Sequence, residues 1–590
     1  MKFQDYRYER PNYDEIKTQM ERAFAKMENA ETAEAQLEAI KGINKLRSHL
    51  QTMQTISNIR HTIDTTDAFY DGENNYWDQQ SPHYQALDSA FYQKLVDSKF
   101  RDALVDELGE VLLQKAENAL KSFSPEIIED LQAENKLASQ YSKLMASAKI
   151  QFRGEELTLA GLGKYMVDKD QAVRKEASDQ KFQWFVQNET QIDDIFHQLV
   201  QIRHQIAQKL GFQNFVELGY VRMNRLDYDA QMVANFRSQV LDHIVPLASE
   251  LFDKQQERLG LAALNYYDLG FQYKSGNATP KGNPEWILAN GQKMYSELSP
   301  ETKEFFDMMV EKDLLDLVNK PGKRGGGYAT YIPDYQSPYI FSNFNGTSHD
   351  IDVLTHEAGH AFQKYASRHV GAEVPEYNWP TKESAEIFSM SMEFFTWDWM
   401  HLFFEEDTPK YKYSHLGGAI KLIPNVVLVD HFQHWVYENP EATPTERKSA
   451  WRNLEKQYLP HKTYSDCDFL ERGGWWLQIP HIFAVPFYYI DYSLAQICAL
   501  QFWQRNQKAP AQAWSDYLAL CQLGGSKSFG DLLKAANLVS PFADGCVKSV
   551  ISDIAAWLEA NSDVEGTVEI EVLNQEKTPK TANLEINSSN

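Results

Sequence analysis

The sequence predicts a mainly α-helical protein of two or more lobes with a small β element, and three observations carry that prediction. The chain has 590 residues, far more than one compact core needs. Hydrophobic residues make up 43% of it and aromatics 13%, enough to fill a large interior. Apolar residues recur at steps of three and four over long stretches and alternate only in short ones.

Taken in order, the first 150 residues read as amphipathic helices. Ile16, Met20, Phe24 and Met27 form one stripe, and Leu37, Ile40, Ile43, Leu46, Leu50 and Met53 form another. Residues 71–82, DGENNYWDQQSP, are dense in turn formers and read as a loop. Between Ile150 and Leu159 the rhythm becomes an alternation broken at Gly154, which predicts a small hairpin. Helical spacing returns from Gln171 to Val240, and residues 274–285 read as irregular. In residues 322–346 a glycine run precedes two β-prone segments, 328–332 and 339–344, which predict a second hairpin. Those glycines match neither GxxxxGK[ST] nor GxGxxG, so a phosphate loop is disfavoured. The breaks divide the chain into an N-terminal helical lobe over residues 1–165, a second domain over 166–562 and a polar tail over 563–590. Within the tail, Val568, Ile570 and Val572 alternate as one weak strand.

Charge excludes some partners. Lys and Arg number 58 against 83 Asp and Glu, a formal net charge of -25, which argues against a surface that tracks nucleic-acid phosphates. The four cysteines, Cys467, Cys498, Cys521 and Cys546, include no CxxC pair and read as reduced core thiols. The N-terminus lacks an apolar signal region, and no stretch of 18 apolar residues occurs, so neither secretion nor membrane spanning is indicated. A cytoplasmic location is the expectation.

The chemistry is concentrated in one segment. His356, Glu357, Ala358, Gly359 and His360 spell HExxH, and residues four apart on a helix stack one turn above each other, so both imidazoles can reach one tetrahedral ion. Ile351, Leu354, Ala358, Ala361, Phe362 and Tyr365 supply the helical spacing, with Ser348 or Asp350 able to cap its start. The stripe they form lies about half a turn away from the two histidines, whereas structural core histidines belong within it. A catalytic zinc needs a third protein ligand and an open position for water. The segment 381–400 offers Glu383, Glu386 and Glu393 on one face of an otherwise apolar helix, where a carboxylate is costly unless paired or bound to metal. Spacing does not choose among the three, although Glu383 reads best as a first-turn acid.

With these residues the sequence resembles the zinc oligopeptidases that include thimet oligopeptidase, oligoendopeptidase F and, more closely, the bacterial Pz-peptidases. The resemblance rests on GKRGGGYATYIPDYQSPYIFSNFNGTSHDIDVLTHEAGHAF, ESAEIFSMSMEFF and HIFAVPFYYIDYSLAQ, and covers roughly residues 150–550. It implies a two-lobed, mainly helical metallopeptidase with a deep central channel and a small β sheet beside the HExxH helix. It further implies one zinc per chain held by His356, His360 and Glu386, with Glu357 as the catalytic carboxylate and Glu393 supporting the ligands from outside. A histidine and tyrosines that bind substrate and stabilise the oxyanion map onto His481, Tyr489 and Tyr492, with Tyr488 as the alternative to Tyr489.

The expected activity is therefore hydrolysis of internal bonds of short peptides, with no nucleic-acid or membrane partner and an oligomeric state left open. Segment 338–344 is expected to offer a strand edge to the substrate backbone. An exopeptidase with the same site chemistry is the alternative, and a non-catalytic helical binding protein a remote one.

Overall fold

A computed structural model describes residues 1–464 and 466–564. Helices dominate it, and five short strands form two small sheets. The predicted weak strand at Val568, Ile570 and Val572 lies outside the described residues, as does all of the expected tail beyond residue 564. No helix among the described residues is long and apolar enough to cross a membrane.

The N-terminal helices form where their stripes predict. Ile16, Met20, Phe24 and Met27 are the buried residues of the helix Tyr13–Glu28, whose start is capped by Asn12 accepting from the amides of Asp14 and Glu15. Residues 71–82 differ from the sequence expectation, because they lie inside one long helix, Ala68–Val96, with Pro82 in its interior. Asp67 caps it by accepting from Phe69 and Tyr70 amides, and Trp77, Tyr84, Leu87, Phe91 and Leu95 bury one face. Pro82 removes the hydrogen bond to the Asp78 carbonyl, and the Asn135 amide donates to that carbonyl instead at 3.3 Å. Burial of the aromatic face and this substitute donor together outweigh the turn-forming local composition.

β1 (Ile150–Phe152) and β2 (Glu155–Leu157) make the first predicted hairpin, turning through Arg153 and Gly154, both at positive φ (51° and 87°). The second sheet has three strands, not two. β3 (Leu315–Val318) runs parallel to β5 (Ser337–Phe344), while β4 (Tyr328–Ile332) pairs antiparallel on its other side, Tyr328 opposite Phe341. The strand expected to offer an edge is thus the central one, hydrogen-bonded on both sides. That expectation is overturned, since β4 provides the edge beside the candidate site. β3 is only four residues long and begins just past the turn that ends the helix Pro300–Glu311, so its alternation is too brief to read as a strand in sequence.

One apolar cluster runs from Phe3 to Val564, so the first helices and the rest of the chain share a core. Buried ion pairs fasten them together. Glu134 on the helix Ile128–Ala146 accepts from Arg203 Nε at 2.7 Å and from Arg222 Nη1 at 2.9 Å. Burial alone raises a carboxyl, but the two guanidiniums outweigh it and bring Glu134 down to about 2. A depressed carboxyl binds fewer protons folded than unfolded, so its stabilisation is full above its ordinary value of 4.5 and fades as pH falls toward 2. Glu134→Gln is expected to lower stability at pH 7 by about 3 kcal/mol and to lose part of the acid-induced slope of the wild type, as measured by urea unfolding across pH. Equal slopes in both proteins would refute the pairing.

Candidate active site

β5 leads into the helix His349–Ala366, which carries HExxH. Of the two capping candidates, neither caps: Ser348 makes no side-chain cap bond, and the Asp350 carboxylate accepts from the amides of Asn345 at 2.9 Å and Gly346 at 2.8 Å. Asp350 therefore ties the helix start to the end of β5, which sets the motif beside the sheet. Ile351, Leu354, Ala358, Ala361 and Phe362 are fully buried on the far face, as their spacing requires.

The second site helix is Lys382–Phe395. It crosses the first at Gly359, where an added Cβ would stand 2.6 Å from the Phe388 carbonyl oxygen and 2.7 Å from Ser389 Cα. Only glycine permits that approach, so the second variable residue of the motif decides how near Glu386 comes to the histidines. The approach is close enough for chemistry. His356 Nε2 lies 3.2 Å and His360 Nε2 3.4 Å from Glu386 Oε2. One donor atom from each of the three residues lies within 4.8 Å of the others. Two ligands on a tetrahedral ion with bonds of roughly 2.0–2.1 Å stand about 3.4 Å apart, so this donor set fits zinc.

The surrounding hydrogen bonds separate the three glutamates that spacing left equivalent. Glu386 Oε2 also accepts from Ser389 Oγ at 2.9 Å, and Oε1 accepts from the Tyr488 hydroxyl. Burial works against its ionisation, yet His360 and His356 hold it well below the ordinary carboxylate range. Glu393 accepts from His356 Nδ1 at 2.7 Å, behind the ligand face. Glu383 is the first-turn acid its position suggests, but it is buried and lies 3.4 Å from Arg225 Nη1, which also holds Asp491. Through Arg225 the second site helix is fastened to the helix Ile490–Lys508 that carries Tyr492.

Glu357 is different in kind. It is buried, its Oε2 has no hydrogen-bond partner, and desolvation pushes it up to about 7 despite the neighbouring His356. It faces a cavity of about 580 Å³ whose wall also includes His356, His360, Glu386, His481, Tyr488 and Tyr492. Gly327, Tyr328 and Ala329, at the β4 edge, form one side of it, and Tyr92, Lys115 and Ser122 from the N-terminal helices form another. Lys115 fixes the wall between the two halves by donating to the carbonyls of Glu376 at 2.8 Å and Trp379 at 3.1 Å.

His481 and Tyr492 lie together, with His481 Nε2 3.2 Å from the Tyr492 hydroxyl. Burial lowers His481 to about 4, so it is neutral at pH 7, and its Nδ1 has no partner. Tyr488 and not Tyr489 stands in the cavity wall; the Tyr489 ring packs 5.1 Å from that of His481. Sequence reasoning missed the β4 edge, Trp379 and Lys382 in the wall, and His415, whose Nε2 lies 2.7 Å from Glu393 Oε2. Nothing in the local pattern around His415 marks it, because its role depends on a helix brought in from elsewhere.

Comparison with known proteins gives one consistent answer. The sequence profile described as peptidase family M3 matches residues 164–550, and that of the peptidase M3 N-terminal domain matches residues 3–123. The solved structure of Pz peptidase A with an inhibitor is similar at 55% identity and a TM-score of 0.94, over 95% of this chain and 100% of that one. An oligoendopeptidase F homolog of Borreliella burgdorferi is 25% identical over 62% of this chain and 61% of its own length. Oligopeptidase PepF of Bacillus subtilis is 22% identical over 86% of this chain and 78% of its own.

Proposed function

Because this chain belongs to peptidase family M3, we propose that it is a zinc oligoendopeptidase that hydrolyses internal bonds of short peptides. The observation that carries the reading is the cluster of His356, His360 and Glu386 donor atoms beside the unpartnered carboxylate oxygen of Glu357. One zinc per chain would be held by those three residues, and when bound it supplies Lewis acidity to a water and to the scissile carbonyl.

The chain's own residues supply the proton transfers and the orientation. Glu357, poised near neutrality, accepts the proton of the attacking water and passes it to the leaving amine. The Tyr492 hydroxyl, joined by the Tyr488 hydroxyl when it turns from Glu386 Oε1, donates toward the oxygen on which negative charge develops, and neutral His481 keeps the Tyr492 hydroxyl in place. The β4 edge at Gly327–Ala329 is where an extended substrate backbone would pair, which gives affinity without strong side-chain preference. A cavity of about 580 Å³ admits a short extended chain and excludes a folded one. The four free cysteines are in keeping with work in the reducing cytoplasm.

The direct test is digestion of a mixed peptide library with and without chelator, read by mass spectrometry, together with quenched peptides blocked at both ends. Chelator-sensitive cleavage of the blocked peptides is expected; release of terminal residues only, or indifference to chelator, would overturn the reading. Substitution separates the two tyrosines. Tyr488→Phe is expected to lower kcat by about 10²-fold and Tyr489→Phe by no more than about twofold in steady-state kinetics. The reverse order would return the role to Tyr489.

A further inference from the structure

Behind the ligand face a chain of hydrogen bonds runs from His356 into the core and ends on a group that cannot accept. His356 Nδ1 lies 2.7 Å from Glu393 Oε1, and His415 Nε2 lies 2.7 Å from Glu393 Oε2. The Trp397 indole N–H then donates to His415 Nδ1 at 3.0 Å. An indole nitrogen is a donor only, so His415 Nδ1 must present its lone pair and the ring's proton must sit on Nε2. That proton goes to Glu393 Oε2. Glu393 is then ionised and accepts at both oxygens, which leaves His356 as the donor at Nδ1 and turns its Nε2 toward His360 and Glu386.

Packing holds the arrangement in place. The His415 side chain is 8% exposed. Its ring stacks on Tyr411, with centroids 5.5 Å apart and planes 16° apart, and meets the edge of Phe394 at 5.0 Å. Tyr411 is in turn fixed by its hydroxyl, which donates to Asp352 Oδ1 at 2.7 Å. Glu393 and Asp352 both favour a second proton on His415 despite its burial, but that proton would point at the indole N–H.

We infer that His415, oriented by the Trp397 indole, is a positioning residue for the metal site, one that keeps Glu393 a two-way acceptor and so fixes the tautomer and angle of His356. The inference rests on the zinc reading of that site and extends it to residues two hydrogen bonds away. Without the His415 donor, one oxygen of a buried carboxylate is left unpaired, and Glu393 can rotate and release the His356 ring.

The test is zinc affinity, measured by competition with a chromogenic chelator, combined with nitrogen NMR of histidine-labelled protein. His415→Phe is expected to weaken zinc binding roughly tenfold to a hundredfold. His415→Gln places an amide N–H near the lost Nε2 and is expected to bind zinc within about threefold of wild type. Wild-type affinity in the Phe variant, or a Gln variant as weak as the Phe variant, would overturn the inference. If the Phe variant does not fold, the labelled wild type decides. A neutral His415 protonated at Nε2, with and without zinc, supports the chain, while a doubly protonated ring or an Nδ1 proton sinks it. Because the tautomer is read on metal-free protein too, absence of zinc binding in every variant would count against the zinc reading and leave the proton arrangement to be judged on its own.

Discussion

Glu357→Gln should abolish nearly all turnover while leaving the metal in place. The substitution keeps the shape of the side chain and removes its ability to take a proton, and a positioned general base contributes about 10²–10⁴-fold to such a step. A drop in kcat of about 10³-fold or more is expected, with zinc content by elemental analysis near wild type, because Glu357 is not among the three donors that converge. The same variant has a signature in stability. Glu357 is raised to about 7 in the folded chain against an ordinary 4.5, so the folded state binds more protons than the unfolded state between those values. Stability of the metal-free protein therefore falls as pH rises from 4.5 to 7 on account of this group. Metal-free Glu357→Gln should lack that loss and exceed wild type above pH 7 by up to about 3 kcal/mol, the difference vanishing in acid. Unchanged kcat with normal zinc content would remove Glu357 from the mechanism.

The second large effect concerns the adjacent helix and has the opposite sign in stability. Glu386→Gln is expected to reduce zinc affinity by more than about 100-fold, the upper end for losing an outer hydrogen-bond partner, and to lower activity in proportion until zinc is supplied in excess. Glu386 lies well below the usual carboxylate range, so it stabilises the metal-free fold above its unfolded value and loses that contribution as pH falls through the folded one. Its amide replacement leaves His356 and His360 without an anion between them, and the metal-free variant should melt below wild type at pH 7. Two glutamates on neighbouring helices of one cavity would thus shift stability in opposite directions. Calorimetry of both metal-free variants at pH 5 and 8 checks this, and a higher melting temperature for Glu386→Gln would contradict the placement of the carboxylate.

Much of the fold was legible because its signals are local. The stripe Ile16, Met20, Phe24 and Met27, the turn at Gly154 and the HExxH spacing each depend on residues within a few turns of one another. Residues 71–82 read as a loop in sequence because the forces that keep them helical, burial of Trp77 and Tyr84 and the Asn135 amide on the Asp78 carbonyl, come from other helices. The order of the second sheet was hidden in the same way, since pairing of β3 with β5 joins segments some twenty residues apart. At the site, the choice among Glu383, Glu386 and Glu393 came from resemblance alone. In the structure Arg225 claims the first, the two histidines meet the second, and His356 with His415 takes the third.

By itself the sequence determined which residue types could bind a metal and move a proton, since helical periodicity places His356 and His360 on one face whatever the rest of the chain does. Only the tertiary structure brought one carboxylate, that of Glu386, within reach of both histidines and put Tyr488, not Tyr489, in the cavity wall. The reason is distance: a hydrogen bond acts over about 3 Å, and no pattern within one helix specifies what another, packed against Gly359, will bring to that range.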